Sequence, residues 1–170
     1  MAPPKMKPNK TPVRQALLDT SQLMEHVSDG LAALDRAHRS YIANEIHGTF
    51  GDSLNLDEAL LETHPNANRW DYLLGHTPSQ QVIGVEPHTA KDDEVSTLIA
   101  KRAAAKEQLA SHLEPGSRVA KWIWVASGKV QFADTEKARR RLDENGIEFI
   151  GKQLQARHLP ATASTKGKRR

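Results

Sequence analysis

Asp71, Glu86 and His88 are the residues of this chain whose types and spacing point to chemistry. Asp71 follows Trp70 and precedes the apolar run Tyr72-Leu73-Leu74, and Glu86 follows Val82-Ile83-Gly84-Val85. Acids are depleted in strands, whose pleated, half-buried surface suits apolar side chains. A carboxylate buried there is costly unless it is paired or bound to a metal. Side chains alternate along a strand, so Glu86 and His88 point to one face. If the two runs pair across the turn-forming segment Gly75-His76-Thr77-Pro78-Ser79, Asp71 meets them on that face. Two carboxylates with the carbonyl of Pro87 make an oxygen-rich site of the kind that suits Mg²⁺. Such an ion lowers the pKa of a bound water and offsets charge on a phosphate. The bland alternative is a pair of ordinary ion-paired acids, with Arg69 and Lys91 available as partners.

Several elements must position these side chains. Residues 14–44 carry Leu17, Leu18, Leu23, Val27, Leu31, Leu34, Tyr41 and Ile42 near helical spacing. That pattern predicts one long helix, or two or three helices interrupted at Thr20-Ser21 and Asp29-Gly30, with a surface that could serve oligomerisation. Residues 53–58 open a short helix that ends before His64-Pro65. Residues 69–74 and 81–88 are the paired strands, with Pro87 marking where ladder pairing stops. Residues 92–113 form an amphipathic helix capped by Asp92 or Asp93, with Glu94 as the next acid. Its stripe is read through Val95, Leu98, Ile99, Arg102, Ala103, Lys106, Leu109 and Leu113, and Pro115-Gly116 stops it. Lys121–Ala126 is a central strand, residues 129–132 pair with it across Ser127-Gly128, Thr135–Asn145 is a helix with Gly146 as its stop, and residues 147–150 are the last strand. Strands separated by such helices need crossovers, which makes this an α/β fold. The expected architecture is a central mixed sheet of four to five strands flanked by helices, with an N-terminal helical segment.

A length of 170 residues suits a single domain. The expected organisation is a basic, disordered N-terminal tail over 1–12, one α/β domain over 13–160, and a basic, disordered C-terminal tail over 161–170. The net charge of +3 belongs to those tails: they hold seven basic residues and no acid, so removing them leaves the body at −4. Basic tails can hold nucleic acid loosely through phosphates, or act only as solubilising ends. There is no cysteine, which rules out disulfides, zinc–thiolate sites and a thiol nucleophile and fits a reducing cytoplasm. No apolar run approaches the ~18 residues needed to span a bilayer, so no membrane partner is expected. The sequence lacks a His-Glu-x-x-His pair, a glycine-flanked serine elbow and a phosphate-cradling Gly-x-x-x-x-Gly-Lys run, which sets aside zinc hydrolases, serine hydrolases and P-loop enzymes.

Over about residues 36–150, the order of upstream helix, Asp71 on one strand, Glu86-x-His88 on the next, then helix, strand, helix, strand resembles the PD-(D/E)XK nuclease superfamily. The chain departs from that pattern in having His88 at the usual lysine position and no proline before Asp71. The resemblance implies Mg²⁺-dependent hydrolysis of phosphodiester bonds in nucleic acid, DNA ahead of RNA. Asp71 and Glu86 would be metal ligands, and Glu45 an upstream helical acid that joins the site. A histidine at 88 can position or protonate a water; otherwise Lys91, Lys101 or Lys106 would supply the missing cation. Lys137, Arg139, Arg140 and Arg141 could grip phosphates, or form a solvated face answered by Asp143 and Glu144. Trp70, Trp122 and Trp124 could stack bases, although their strand positions favour core packing. The alternative function is non-enzymatic: an inhibitor, immunity or assembly partner, or a nucleic-acid-binding module, on the same fold. The acidic body favours a protein partner, because a nuclease normally presents a basic groove.

Overall fold

A computed structural model describes residue 7 and residues 10–91, 93–131 and 135–163. Asp92, Phe132 and most of both tails lie outside the described residues. The chain builds one six-stranded mixed sheet flanked by helices, slightly larger than the sheet expected from sequence. Its strands are β1 (Val27–Asp29), β2 (Phe50–Asn55), β3 (Tyr72–His76), β4 (Gln81–Lys91), β5 (Val119–Gln131) and β6 (Ile147–Phe149), and they lie side by side in chain order. β1 to β4 form an antiparallel meander, whereas β5 runs parallel to β4 and β6 parallel to β5. The helices are α1 (Pro12–Ala16), α2 (Arg36–Arg39), α3 (Leu56–Leu61), α4 (Glu94–Leu109) and α5 (Thr135–Glu144). The two parallel joins follow α4 and α5, as crossover connections require.

The sheet is covered on both faces, and β5 shows why its sequence is so apolar. Trp122, Trp124 and Ala126 point into one buried cluster, with Val95, Leu98, Ala105 and Leu109 of α4 and Leu142 of α5. Ile123 and Val125 point into the other, with Leu31, Leu34, Ile42, Ile46 and Leu154. All three tryptophans are buried, so they serve packing and are closed to base stacking. Trp70 meets Trp122 edge to face at 5.1 Å directly above Gly84, where a Cβ would stand 2.7 Å from the Trp122 ring. Only glycine lets the two rings close there.

The long N-terminal helix is not formed. In its place stand α1, a 3₁₀ turn at Gln22–His26, β1, α2 and a 3₁₀ helix at Asn44–Thr49. The reason lies in where the apolar residues go. Val13, Ala16, Leu17 and Leu23 enter the α4-side cluster, and Leu31, Leu34, Ile42 and Ile46 enter the opposite one. No single helix can serve both faces of a sheet, so the chain crosses from one to the other at the edge strand β1. The surface proposed for oligomerisation through a long helix disappears with it. The expected disordered tail over 1–12 also needs correction at its described residues: Pro12 is buried and starts α1, Thr11 bonds Asp52, and Lys7 is buried, pairs with Asp19 and Glu114, each at 3.1 Å, and donates to the carbonyl of Leu17.

β2 was hidden in the sequence because its interior is polar. Asp52 and Ser53 are wholly buried, yet both are satisfied. Ser53 Oγ accepts from the Ala33 N–H at 3.1 Å. Asp52 accepts from the N–H groups of Val13 at 3.0 Å and Arg14 at 3.1 Å, and from the Thr11 hydroxyl. It thereby caps α1, whose own N-cap residue Thr11 makes no side-chain cap bond. Replacing Asp52 with Ala leaves the buried Val13 N–H and the part-buried Arg14 N–H without that acceptor. An expected loss of about 2–3 kcal/mol would be read as a lower urea midpoint at unchanged slope, and an unchanged midpoint would refute the capping role.

Candidate active site on the β3–β4 hairpin

The site begins with strand register. Tyr72 faces Val85 across the antiparallel β3–β4 pair, so Asp71, just before β3, comes opposite Glu86. There the ladder is replaced by a side chain: the Asp71 N–H donates to Glu86 Oε1 at 2.8 Å. The carbonyl of Asp71 accepts from the N–H of Leu56 at 2.8 Å, at the start of α3. The backbone of Asp71 is thus held from both sides. His88 lies two residues beyond Glu86 on the same face, and its carbonyl accepts from the Trp124 indole at 3.1 Å.

α4 lies across this face and closes the site. Its Lys101 ammonium bonds Glu86 Oε2 and stands 3.9 Å from Asp71 Oδ1. His88 Nδ1 is 3.4 Å from Glu86 Oε2, and His88 Nε2 is 2.7 Å from Glu94 Oε1 in the first turn of α4. The five groups alternate in kind: Asp71, Lys101, Glu86, His88, Glu94. The Glu86 side chain is 0% exposed, whereas those of Asp71, His88 and Glu94 are 23–25% exposed. The cluster is therefore sealed at Glu86 and reaches solvent at Asp71 and His88.

The environment shifts two of these groups. Burial, and next the charge of Glu86, push the Asp71 carboxyl up to about 7 from an ordinary 3.8, with Lys101 opposing. His88 is held above its ordinary value by the Glu86 carboxylate beside it, with Glu94 assisting and burial opposing. Both its ring nitrogens face carboxylate oxygens, so the imidazolium satisfies both, while a neutral ring would set a lone pair against an anion. His88 is accordingly suited to act as a fixed cation, and less as the proton-accepting base that the sequence also allowed.

The structure therefore brings together Asp71, Glu86 and His88, and of the three candidate lysines it adds Lys101. Three other candidates do not join. Lys91 is exposed at the far end of β4. Glu45 is exposed on the 3₁₀ helix whose Ile46 packs into the opposite cluster, so the sheet separates it from Asp71. Lys106 is exposed as well. Glu94 was legible only as a helix-start acid, and its contact with His88 is new. Lys101 carried a readable signal: it sits three residues after Leu98 and four before Ala105, both buried, so it interrupts the apolar stripe of α4.

No family model, curated protein or solved structure matches this chain. The site must be judged by its own donors. Among the described residues, no group of three or more histidines and acids is placed to hold a metal by protein atoms alone. Asp71 offers a carboxylate that reaches solvent, whereas both oxygens of the fully buried Glu86 already accept, Oε1 from the Asp71 N–H and Oε2 from Lys101. Mg²⁺ keeps several waters and is commonly held by one or two carboxylates plus substrate phosphate; Asp71 is placed for that mode, and Glu86 would join it only by releasing Lys101.

Two expectations follow from this electrostatic arrangement. Lys101→Met leaves the buried Glu86 carboxylate without its closest cation and should cost about 3 kcal/mol, most of it recovered in the Lys101→Met/Glu86→Gln double variant. A double-mutant cycle with coupling below about 0.5 kcal/mol would refute the pairing. For Asp71, the folded pKa lies above the unfolded one, so its protonated form favours the fold. In metal-free buffer that stabilisation is full below about pH 3.8 and is lost as pH rises through about 7. Asp71→Asn should therefore flatten the decline in urea midpoint between the acid and alkaline sides of that window. Parallel wild-type and variant profiles would contradict it.

Proposed function

We propose that this chain is a metal-dependent, nuclease-like protein of the PD-(D/E)XK type that hydrolyses phosphodiester bonds in nucleic acid, DNA ahead of RNA. The observation that carries this reading is the arrival of Lys101 from α4 at the Asp71–Glu86 carboxylate pair, which supplies the lysine absent from position 88. The order of elements supports it: an antiparallel hairpin bearing both acids, then α4, parallel β5, α5 and parallel β6. In this reading Asp71, joined by Glu86 once Lys101 turns to the substrate, would hold Mg²⁺, which when bound would supply an acidified water and offset phosphate charge. Lys101 orients the attacking water and stabilises developing negative charge, as a preorganised cation does in a site partly closed to solvent. His88, fixed between Glu86 and Glu94, adds a second cation and holds Glu86 in place.

The test uses single- and double-stranded DNA and RNA with Mg²⁺ or Mn²⁺. Metal-dependent cleavage is expected, abolished by chelator and reduced by at least about 10²-fold in Asp71→Asn, which keeps the backbone N–H and carbonyl that bond Glu86 and Leu56. Glu86→Gln should behave alike. Absence of cleavage of every substrate by folded protein in Mn²⁺ would overturn the reading. The slightly acidic body, at −2 once Lys7 and Lys10 are counted with the fold, would then favour the second one: a non-enzymatic partner of a protein with a basic surface.

A further inference from the structure

A concave site lies away from the carboxylate cluster. A cavity of about 450 Å³ opens between α1, the β3–β4 turn and residues 116–118 ahead of β5. That volume is within the range of small-molecule pockets. It reaches β4 at Val82, four residues from Glu86, or roughly 13 Å along the strand. It is therefore separate from the candidate active site and does not rest on the function proposed for that site.

The cavity's chemistry is one-sided. Lys10 and Arg118 line it, both exposed, and neither makes an ion pair or hydrogen bond among the described residues. No acid lines it. The nearby acids are committed elsewhere: Glu114 pairs with Lys7, and Asp52 caps α1. Two cations beside one cavity with no counter-charge repel each other and favour an anion between them. Thr77, Gln81 and Ser117 add hydroxyl and amide groups on the rim, while Pro12, Ala16 and Val82 form an apolar, buried floor.

The walls are fixed by the fold. Leu18 N–H donates to the His112 carbonyl at 2.8 Å and Glu114 N–H to the Ala16 carbonyl at 2.8 Å, which ties α1 to the connection that carries Arg118. The turn wall is closed by Gln80 N–H on the Thr77 carbonyl at 3.0 Å and Thr77 N–H on the Thr49 carbonyl at 2.9 Å. A cavity built this way exists before any ligand arrives, so little ordering cost opposes binding.

We propose that this cavity binds a small organic anion, with its phosphate or carboxylate between Lys10 and Arg118 and its flat or apolar body on the Pro12–Ala16–Val82 floor. Calorimetric titration of the full-length chain with AMP, benzoate and inorganic phosphate tests it. Amide shifts of Ala16, Ser79 and Ser117 report the location. AMP or benzoate should bind, and preference between them separates a phosphate from a carboxylate ligand. Lys10→Ala and Arg118→Ala should each weaken that binding about tenfold, as loss of a charge-assisted contact does. Inorganic phosphate, which cannot use the floor, should bind more weakly by a similar factor. Lack of binding by both organic anions at about 10 mM, binding unchanged in both variants, or inorganic phosphate binding as tightly as AMP would overturn the proposal.

Discussion

The carboxylate of Glu86 is the constraint around which this hairpin is organised. It is fully buried in a strand, where an uncompensated charge would cost several kcal/mol. The chain compensates it from three directions: the Asp71 N–H from β3, Lys101 from α4, and His88 from its own strand. Each partner is then held in turn. Asp71 is fixed through α3, His88 through Trp124 and Glu94, and Lys101 through the buried neighbours of the α4 stripe. A charge placed so deep is difficult to account for as a contribution to stability alone, since an apolar residue of similar size often does as well. It is readily accounted for as a group whose position must not vary.

The β3–β4 hairpin, α4, the apolar centre of β5 and the helix–strand ending at β6 were legible in the sequence because their patterns are periodic. Residues 129–131, expected to fold back on 121–126 across Ser127-Gly128, instead continue β5 and pair with Ala90 and Lys91 of β4. Gly146 takes φ +75° where α5 ends, and Gly116 takes +86° in the Pro115-Gly116 break, beyond the end of α4 at Leu109. The α/β class followed from their order. What could not be read was anything carried by polar residues inside. β2 has Gly51, Asp52 and Ser53 in its middle, and its burial depends on donors nearly forty residues earlier in the chain. In the candidate site, Asp71, Glu86 and His88 stood out because charged groups interrupt strand patterns. Lys101 interrupts a helical stripe in the same way, but beside Arg102 the irregularity is easily assigned to the wrong residue. Glu45 was drawn in by the family resemblance, and the two-faced wrapping of the N-terminal segment puts it beyond reach.

That wrapping also explains why the N-terminal third holds so little regular structure. Its apolar residues are spaced as in a helix, yet they are shared between two clusters that the sheet keeps apart. Short helical turns joined by an edge strand satisfy both demands, whereas a continuous helix satisfies one.

The cap on α1 has a consequence for how the molecule assembles. A five-residue helix has no standing of its own in water, and the oxygen atoms that complete it arrive on Asp52, thirty-nine residues after Val13. During synthesis this helix therefore waits for a strand made later. α1 is complete only once β2 is in place, as a clasp is closed over what it holds.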